Sequence, residues 1–527
     1  MKFSAALLAL SFGFSVGHAQ VNVTTYHYDN ARVGQNTHET ALTTSLVNST
    51  TFGKLFSQPV DGQIYAQPLV VYNLSIGGKP HTVVFVATEN DSVYAFDGNG
   101  NTGTDANPLW HVSFIDAAKG ITTVPSSDLG TIAISPQIGI TGTPVIDPNN
   151  DTLYVVAATK ENGVYYQRLH ALNVTTGAEQ HGSPVVISAK VKGTGSGSFG
   201  GYISFDPFRS NQRPALLLLN GVVYISWASH GLEAKYIYHG WVIGYNETSL
   251  AQAGAFCITA NGDQGGVWQS GNGLAADSLG NIFFISGNGT FDANKGGPDY
   301  GMSYVKLASS SMSVIDYFTP FNQATESAGD KDLGSGGMLL IPYQSSTTNH
   351  YLAVGAGKDG NMYLVNRNDM GKFNSKGNSQ IVEEIPLAFG GHSVYSSPAF
   401  WNSNLYYWAT QDYLRIFQLN NGLIGTTPIA TSAFTLASPG ATPVISSNGT
   451  TNGIVWALDS SGSNITPPAP AVLHALDAQT AAELYNSTQA GTRDTAGNAV
   501  RFTLPVVANG KVYLGTANEL DVYGLLP

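Results

Sequence analysis

In a chain this poor in charge, chemistry must come from a few side chains, and these concentrate in glycine-rich stretches. Charged residues make up 11% of the sequence, against about 25% in an average soluble domain. Gly390-Gly391-His392-Ser393-Val394-Tyr395 sets an imidazole and a phenol three residues apart among small neighbours. An imidazole exchanges protons near neutral pH. His392 and Tyr395 are therefore the expected acid/base pair. Glu161 is the expected carboxylate partner, and Arg213 the cation that would stabilise an enolate developing beside a uronate carboxylate. Tyr65, Gln67, Glu89, His230, Trp268, Gln269, Asp332, Lys358 and Asp412 fall in comparable stretches and are expected to bind substrate, with Trp268 stacking on a ring.

Several other chemistries are excluded by pattern. A single cysteine, Cys257, removes intrachain disulfides, zinc knuckles and CxxC redox pairs, and is expected to be a small core residue. His230 and His239 have no third, closely spaced metal ligand, and the sequence carries no calcium loop of the EF-hand type. There is no G-x-S-x-G elbow, no phosphate-binding Gly-Lys-Ser/Thr loop and no H-E-x-x-H helix. No resident metal or cofactor is expected on this reading; calcium, or a quinone with calcium, is the alternative.

With 35 acidic against 23 basic residues the formal charge is −12, which argues against a nucleic-acid partner. Residues 1–19 read as a secretion signal: Lys2, an apolar run from Phe3 to Val16, then Gly17-His18-Ala19, leaving Gln20 as the mature start. Nothing later approaches the ~20 apolar residues of a membrane helix. Eleven N-x-Ser/Thr sequons, from Asn22 to Asn486, agree with a secretory route and a glycosylated surface. A secreted, extracellular monomer acting on a saccharide is expected.

The elements that must position these side chains are short strands. Pairs recur along the chain, among them Thr82 to Ala87 with Ser92 to Asp97, Thr152 to Ala157 with Arg168 to Asn173, and Gly510 to Gly515 with Glu519 to Tyr523. Each is rich in Val, Tyr, Leu and Ile and bounded by Gly, Asn or Asp. A third strand, often opening on proline, precedes most pairs, and proline is tolerated at a strand's first residue. Units starting near Gln67, Thr143, Arg213, Asn272, Gly336, Ser397, Thr442 and Pro505 predict an all-β, eight-bladed propeller of four-stranded antiparallel blades. Seven blades is the alternative, because residues 272–336 carry the weakest repeat.

The last unit has only three strands, so the strand at Phe52 to Val60 is expected to complete it and close the ring. Residues 20–51 would then be an N-terminal extension and 52–527 one propeller domain. In such a ring, loops entering each innermost strand and loops joining the second and third strands converge on one channel mouth.

Val93-Tyr94-Ala95-Phe96-Asp97, Leu169-His170-Ala171-Leu172-Asn173 and Leu473-His474-Ala475-Leu476-Asp477 resemble the repeats of the pyrroloquinoline-quinone-like (quinoprotein alcohol dehydrogenase-like) β-propellers, in a secreted, uncharacterised branch. The resemblance implies the fold over roughly residues 52–527. It also implies a quinone stacked over an indole, calcium held by Glu, Asn and Asp, a catalytic Asp and often a disulfide of adjacent cysteines. With Cys257 alone, that disulfide is impossible. The leading expectation is thus a carbohydrate-active enzyme, a polysaccharide lyase or glycoside hydrolase. A quinone- and calcium-dependent sugar or alcohol dehydrogenase, and a non-catalytic binding or scaffold propeller, are the alternatives.

Overall fold

The computed structural model describes residues 20–130, 133–231, 237–345 and 347–527. The segment read as a secretion signal lies outside them. Eight antiparallel sheets follow one another around a ring. Their innermost strands are Leu69–Ile76, Val145–Asp147, Leu217–Leu219, Ala275–Ala276, Leu339–Leu340, Ala399–Trp401, Val444–Asn448 and Val506–Ala508. The region of weakest repeat forms a complete fourth blade, with Asn281–Ile285, Tyr304–Ala308 and Ser313–Thr319 paired in order. No described helix is long and apolar enough to cross a membrane.

Strand alternation explains why the middle strands are apolar at every position. Side chains of a strand point alternately to opposite faces, and both faces of a blade are covered by neighbouring blades. In Lys79–Ala87, Val83, Phe85 and Ala87 pack on the second blade, whereas Val84 and Val86 pack on the eighth. Eight such apolar layers fill the eight gaps between blades. Cys257 sits in the layer between the second and third blades, where burial pushes its thiol up to about 12.

The ring closes as the strand count requires. Phe52–Pro59 pairs antiparallel with Glu519–Leu525 as the fourth strand of the last blade. Lys54 crosses the seam, its Nζ 2.6 Å from Asp521 and 3.1 Å from Glu519. Phe52 is fully buried against Trp456, Tyr485 and Tyr523.

The stretch before that strand is woven into the ring. Residues 23–36 visit the innermost strand of every blade at one equivalent position. Val23 exchanges two backbone hydrogen bonds with Val70, and Ile146 N donates to Thr24 O. Asn30 Nδ2 donates to Leu218 O, and Ala276, Leu340, Phe400 and Ile445 donate backbone N–H groups to Asn30, Ala31, Val33 and Gly34. Val507 N donates to Tyr28 Oη, and Gln35–Asn36 adds a parallel strand to the seventh blade. This segment therefore stops one end of the channel. Inside it Arg32, fully buried, donates to Leu274 O, Tyr26 O and Thr25 Oγ1 at 2.8–3.0 Å. Gly34 has φ +73°, and a Cβ there would meet the His27 ring at 3.0 Å, so glycine is required on both counts.

Candidate functional site

Above the stopper, loops entering the innermost strands of seven blades surround a cavity of about 320 Å³, the second blade through Ala133 and Ile134. Tyr65 comes from the first blade, Arg213 from the third, Trp268 and Ser270 from the fourth, and Asp332 from the fifth; Tyr395 enters from the sixth and Phe502 from the eighth. Lys358 arrives from the hairpin between the second and third strands of the fifth blade. Six of the expected site residues, Tyr65, Arg213, Trp268, Asp332, Lys358 and Tyr395, are thus brought together although they span 331 positions of sequence.

Arg213 defines the electrostatics. It is 6% exposed, sits between the rings of Tyr65 (5.3 Å) and Phe502 (5.0 Å), and its buried Nη2 has no hydrogen-bond partner. Among the described residues no carboxylate forms an ion pair with it. Burial pulls its pKa below the ordinary guanidinium value. The phenol of Tyr65 and the buried Glu89 carboxylate oppose that shift without forming a direct ion pair, and a carboxylate in contact would offset the remaining cost of burying the charge.

Lys358 is arranged differently. Its Nζ lies 2.6 Å from Asp332 and 2.9 Å from Asp330; burial opposes its charge, but the two carboxylates hold its pKa well above the ordinary value. Asp332 also accepts Asn288 N at 2.7 Å. A Cβ on Gly287 would stand 2.6 Å from Asp332 Oδ1 and 3.2 Å from Trp268 Cδ1, so this glycine lets the carboxylate and the indole edge approach. With Arg501, the lining carries three cations against two carboxylates, a positive mouth on a protein of net charge −12. Ser270 and Phe502 hold φ of 52° and 63°, a region costly for such side chains and populated at functional sites.

Other expected site residues lie elsewhere. Gln67 is 3% exposed and holds the stopper: its Oε1 accepts His27 N, its Nε2 donates to Thr25 O, and its own N–H bonds Thr143 Oγ1. Gln269 is fully buried, bonding Asn272 O, Gly273 O and Ile285 N. Glu89, 1% exposed, lies behind Tyr65 and Arg213; burial pushes its pKa up to about 7, and one oxygen accepts Gly139 N at 2.7 Å. His230 borders an enclosed space of about 10 Å³ between the second and third blades, where burial lowers its pKa to about 4. Glu161 is held by Arg168 and Thr159, and Asp412, 2% exposed, is gripped by both Nε and Nη2 of Arg415. His392, half-buried in its loop, stands outside the lining of this cavity and of the two that adjoin it.

Arg501 and Phe502 were not among the expected residues. Their signal is the loop entering the eighth unit just before Pro505, the same kind of loop that supplies Tyr65, Arg213 and Tyr395.

The calcium site implied by the family resemblance does not fit. Lys358 already bridges Asp330 and Asp332, and the described residues contain no group of three or more His, Cys, Asp or Glu side chains placed to hold a metal ion. For a planar ring bearing carboxylates the chemistry of the lining is suitable: Trp268 supplies an aromatic surface and Arg213 a buried cation with an unpartnered donor.

No protein-family model matches the chain, and no curated protein matches it. Its fold is similar to solved structures. The quinohemoprotein alcohol dehydrogenase of Comamonas testosteroni aligns over 97% of this chain and 81% of that one, at 14% identity and TM-score 0.61. The quinohemoprotein alcohol dehydrogenase ADHIIG of Pseudomonas putida HK5 aligns over 96% and 80%, at 12% identity and 0.57. A europium-containing methanol dehydrogenase aligns over 96% and 98%, at 12% identity and 0.60. At these identities the likeness establishes a quinoprotein alcohol dehydrogenase-like β-propeller fold.

Proposed function

We propose that the cavity binds a planar, carboxylate-bearing quinone and that the chain is a dehydrogenase of an alcohol or sugar. The observation that carries this reading is Arg213: a buried guanidinium with an unsatisfied donor, flanked by two aromatic rings and lining the cavity that Trp268 also lines. Its support from fold is the likeness to quinohemoprotein alcohol dehydrogenases. The quinone would supply the two-electron acceptor. Arg213 would pair a ring carboxylate, and Trp268 would fix the ring plane. Asp332 would take the proton from the substrate hydroxyl, its charge balanced by Lys358 at 2.6 Å. Charge neutralisation by Arg213 and Lys358 then replaces the divalent ion.

The same unused donor suits a uronate carboxylate, which keeps polysaccharide elimination as a second reading. There Tyr395 would be the base and Arg213 the enolate-stabilising cation, since His392 and Glu161 lie outside the lining. One assay separates the two. The protein is incubated with pyrroloquinoline quinone, with and without calcium, and a panel of alcohols, sugars and acidic polysaccharides, following dye reduction and the absorbance of unsaturated uronates. The dehydrogenase reading expects calcium-independent turnover. Unsaturated uronate products from acidic polysaccharides, without dye reduction, would replace it with elimination.

A further inference from the structure

Two further cavities open beside the central one, and Arg501 borders all three. One, of about 470 Å³, lies toward Ser438 and Asn464; the other, of about 300 Å³, lies toward Gln63 and Ile465. Each is large enough for a small-molecule moiety. The central cavity shares Tyr395, Arg501 and Phe502 with the first and Tyr65 and Arg501 with the second, and Asn464 and Ile465 set the two outer cavities side by side. Their walls alternate amide and hydroxyl groups with flat apolar surfaces, a lining suited to rings that carry hydroxyls on their edges and C–H groups on their faces.

Arg501 sets the charge preference of these cavities. Among the described residues its hydrogen bond runs from Nε to Asn464 Oδ1 at 2.7 Å, and it makes no ion pair with a carboxylate. Asn464 is itself held by Ser438 O at 2.5 Å, so the guanidinium is steadied by a neutral group and keeps its charge for a ligand. In a chain with only 23 cationic side chains, a guanidinium at the meeting point of three cavities is a specific feature.

We infer that the mouth is a binding cleft for an extended acidic oligosaccharide, with Arg501 pairing a carboxylate on a ring adjoining the one in the central cavity. This rests on the second reading above, in which the central cavity takes a uronate ring, and it is tested by binding alone. Calorimetric titration of the mature, full chain would use galacturonate and its oligomers of two to six rings, with neutral cello-oligosaccharides of equal length as controls. Affinity should rise at least 10-fold from one acidic ring to four, with no such rise in the neutral series. Arg501→Gln should abolish the rise without moving the unfolding midpoint. Ile465 is 56% exposed, so changes there spare the fold: Ile465→Asp should weaken tetragalacturonate binding about 3-fold and Ile465→Lys should strengthen it by a similar factor.

A flat acidic series, an equal rise with neutral oligomers, or an unchanged rise in Arg501→Gln would overturn the cleft. Quinone titration reads other residues, so the two failures are distinguishable. Length-dependent binding without quinone binding removes the dehydrogenase reading and keeps the cleft. Quinone binding with a flat series does the reverse.

Discussion

Replacing Arg32 by Met tests whether residues 23–36 are structural to the ring. The guanidinium is fully buried and donates three short hydrogen bonds, to Leu274 O at 3.0 Å and to Thr25 Oγ1 and Tyr26 O at 2.8 Å, with Leu216 O at 3.3 Å. Bonds from a charged donor contribute about 1.5–3 kcal/mol each, so the gross loss is several kcal/mol. Relief from burying a charge offsets part of it, because methionine fills similar space without that desolvation. The carbonyls of Leu216, Leu274 and Tyr26 would remain buried, and Met offers them nothing. A net destabilisation of about 3–5 kcal/mol follows. Urea unfolding followed by tryptophan fluorescence, with matched m-values, measures it. Arg32→Lys should recover only part of the loss, since one ammonium cannot reach three separated acceptors. A loss under about 1 kcal/mol for Arg32→Met would refute the reasoning, because the stopper would then be held by its backbone bonds alone.

The remaining expectations concern pH, closure and the glycine behind the indole. Glu89, carried from 4.5 to about 7 by burial, binds a proton more tightly folded than unfolded; its contribution is full below pH 4.5 and is lost as pH rises through 7, about 3 kcal/mol in all. Glu89→Gln should flatten that slope and be more stable than wild type at pH 8, as read from urea midpoints across pH 4–8. Lys54→Met would strand the fully buried Asp521 at the seam, costing about 3–5 kcal/mol, measured as a lowered thermal midpoint. Gly287→Ala must displace Asp332 or Trp268, costing about 1–3 kcal/mol and shifting the tryptophan emission maximum.

The fold was legible because strands buried on both faces write continuous apolar runs, and the gaps between runs count the blades. Ring closure was legible because the last unit, Val506 to Leu525, lacked a fourth strand that Phe52 to Pro59 could supply. The stopper was not, because its bonds to the blades are mostly made by backbone groups, which leave no side-chain signature in residues 23–36. At the site, loops entering the inner strands were read correctly as converging, which brought Tyr65, Arg213, Trp268, Asp332 and Tyr395 together. Within such loops, however, sequence does not say which side chain turns outward. Gln67 lies two residues from Tyr65 and Gln269 one from Trp268, yet both are turned into the backbone network. Asp412 was read without the arginine three residues on that neutralises it, and Arg501 was missed although its loop is equivalent to that of Arg213.

The central claim is that Arg213 completes its buried guanidinium with a carboxylate on a planar ring. Titrating pyrroloquinoline quinone into the protein and its Arg213→Met variant, with tryptophan fluorescence as the signal, measures this directly. Removing one partner of a buried charge pair costs about 2–5 kcal/mol. The account therefore predicts saturable quenching in the wild type and binding at least ~30-fold weaker in the variant, with an unchanged fold by circular dichroism. Equal affinity in both proteins, or no saturable quenching in the wild type, would contradict it.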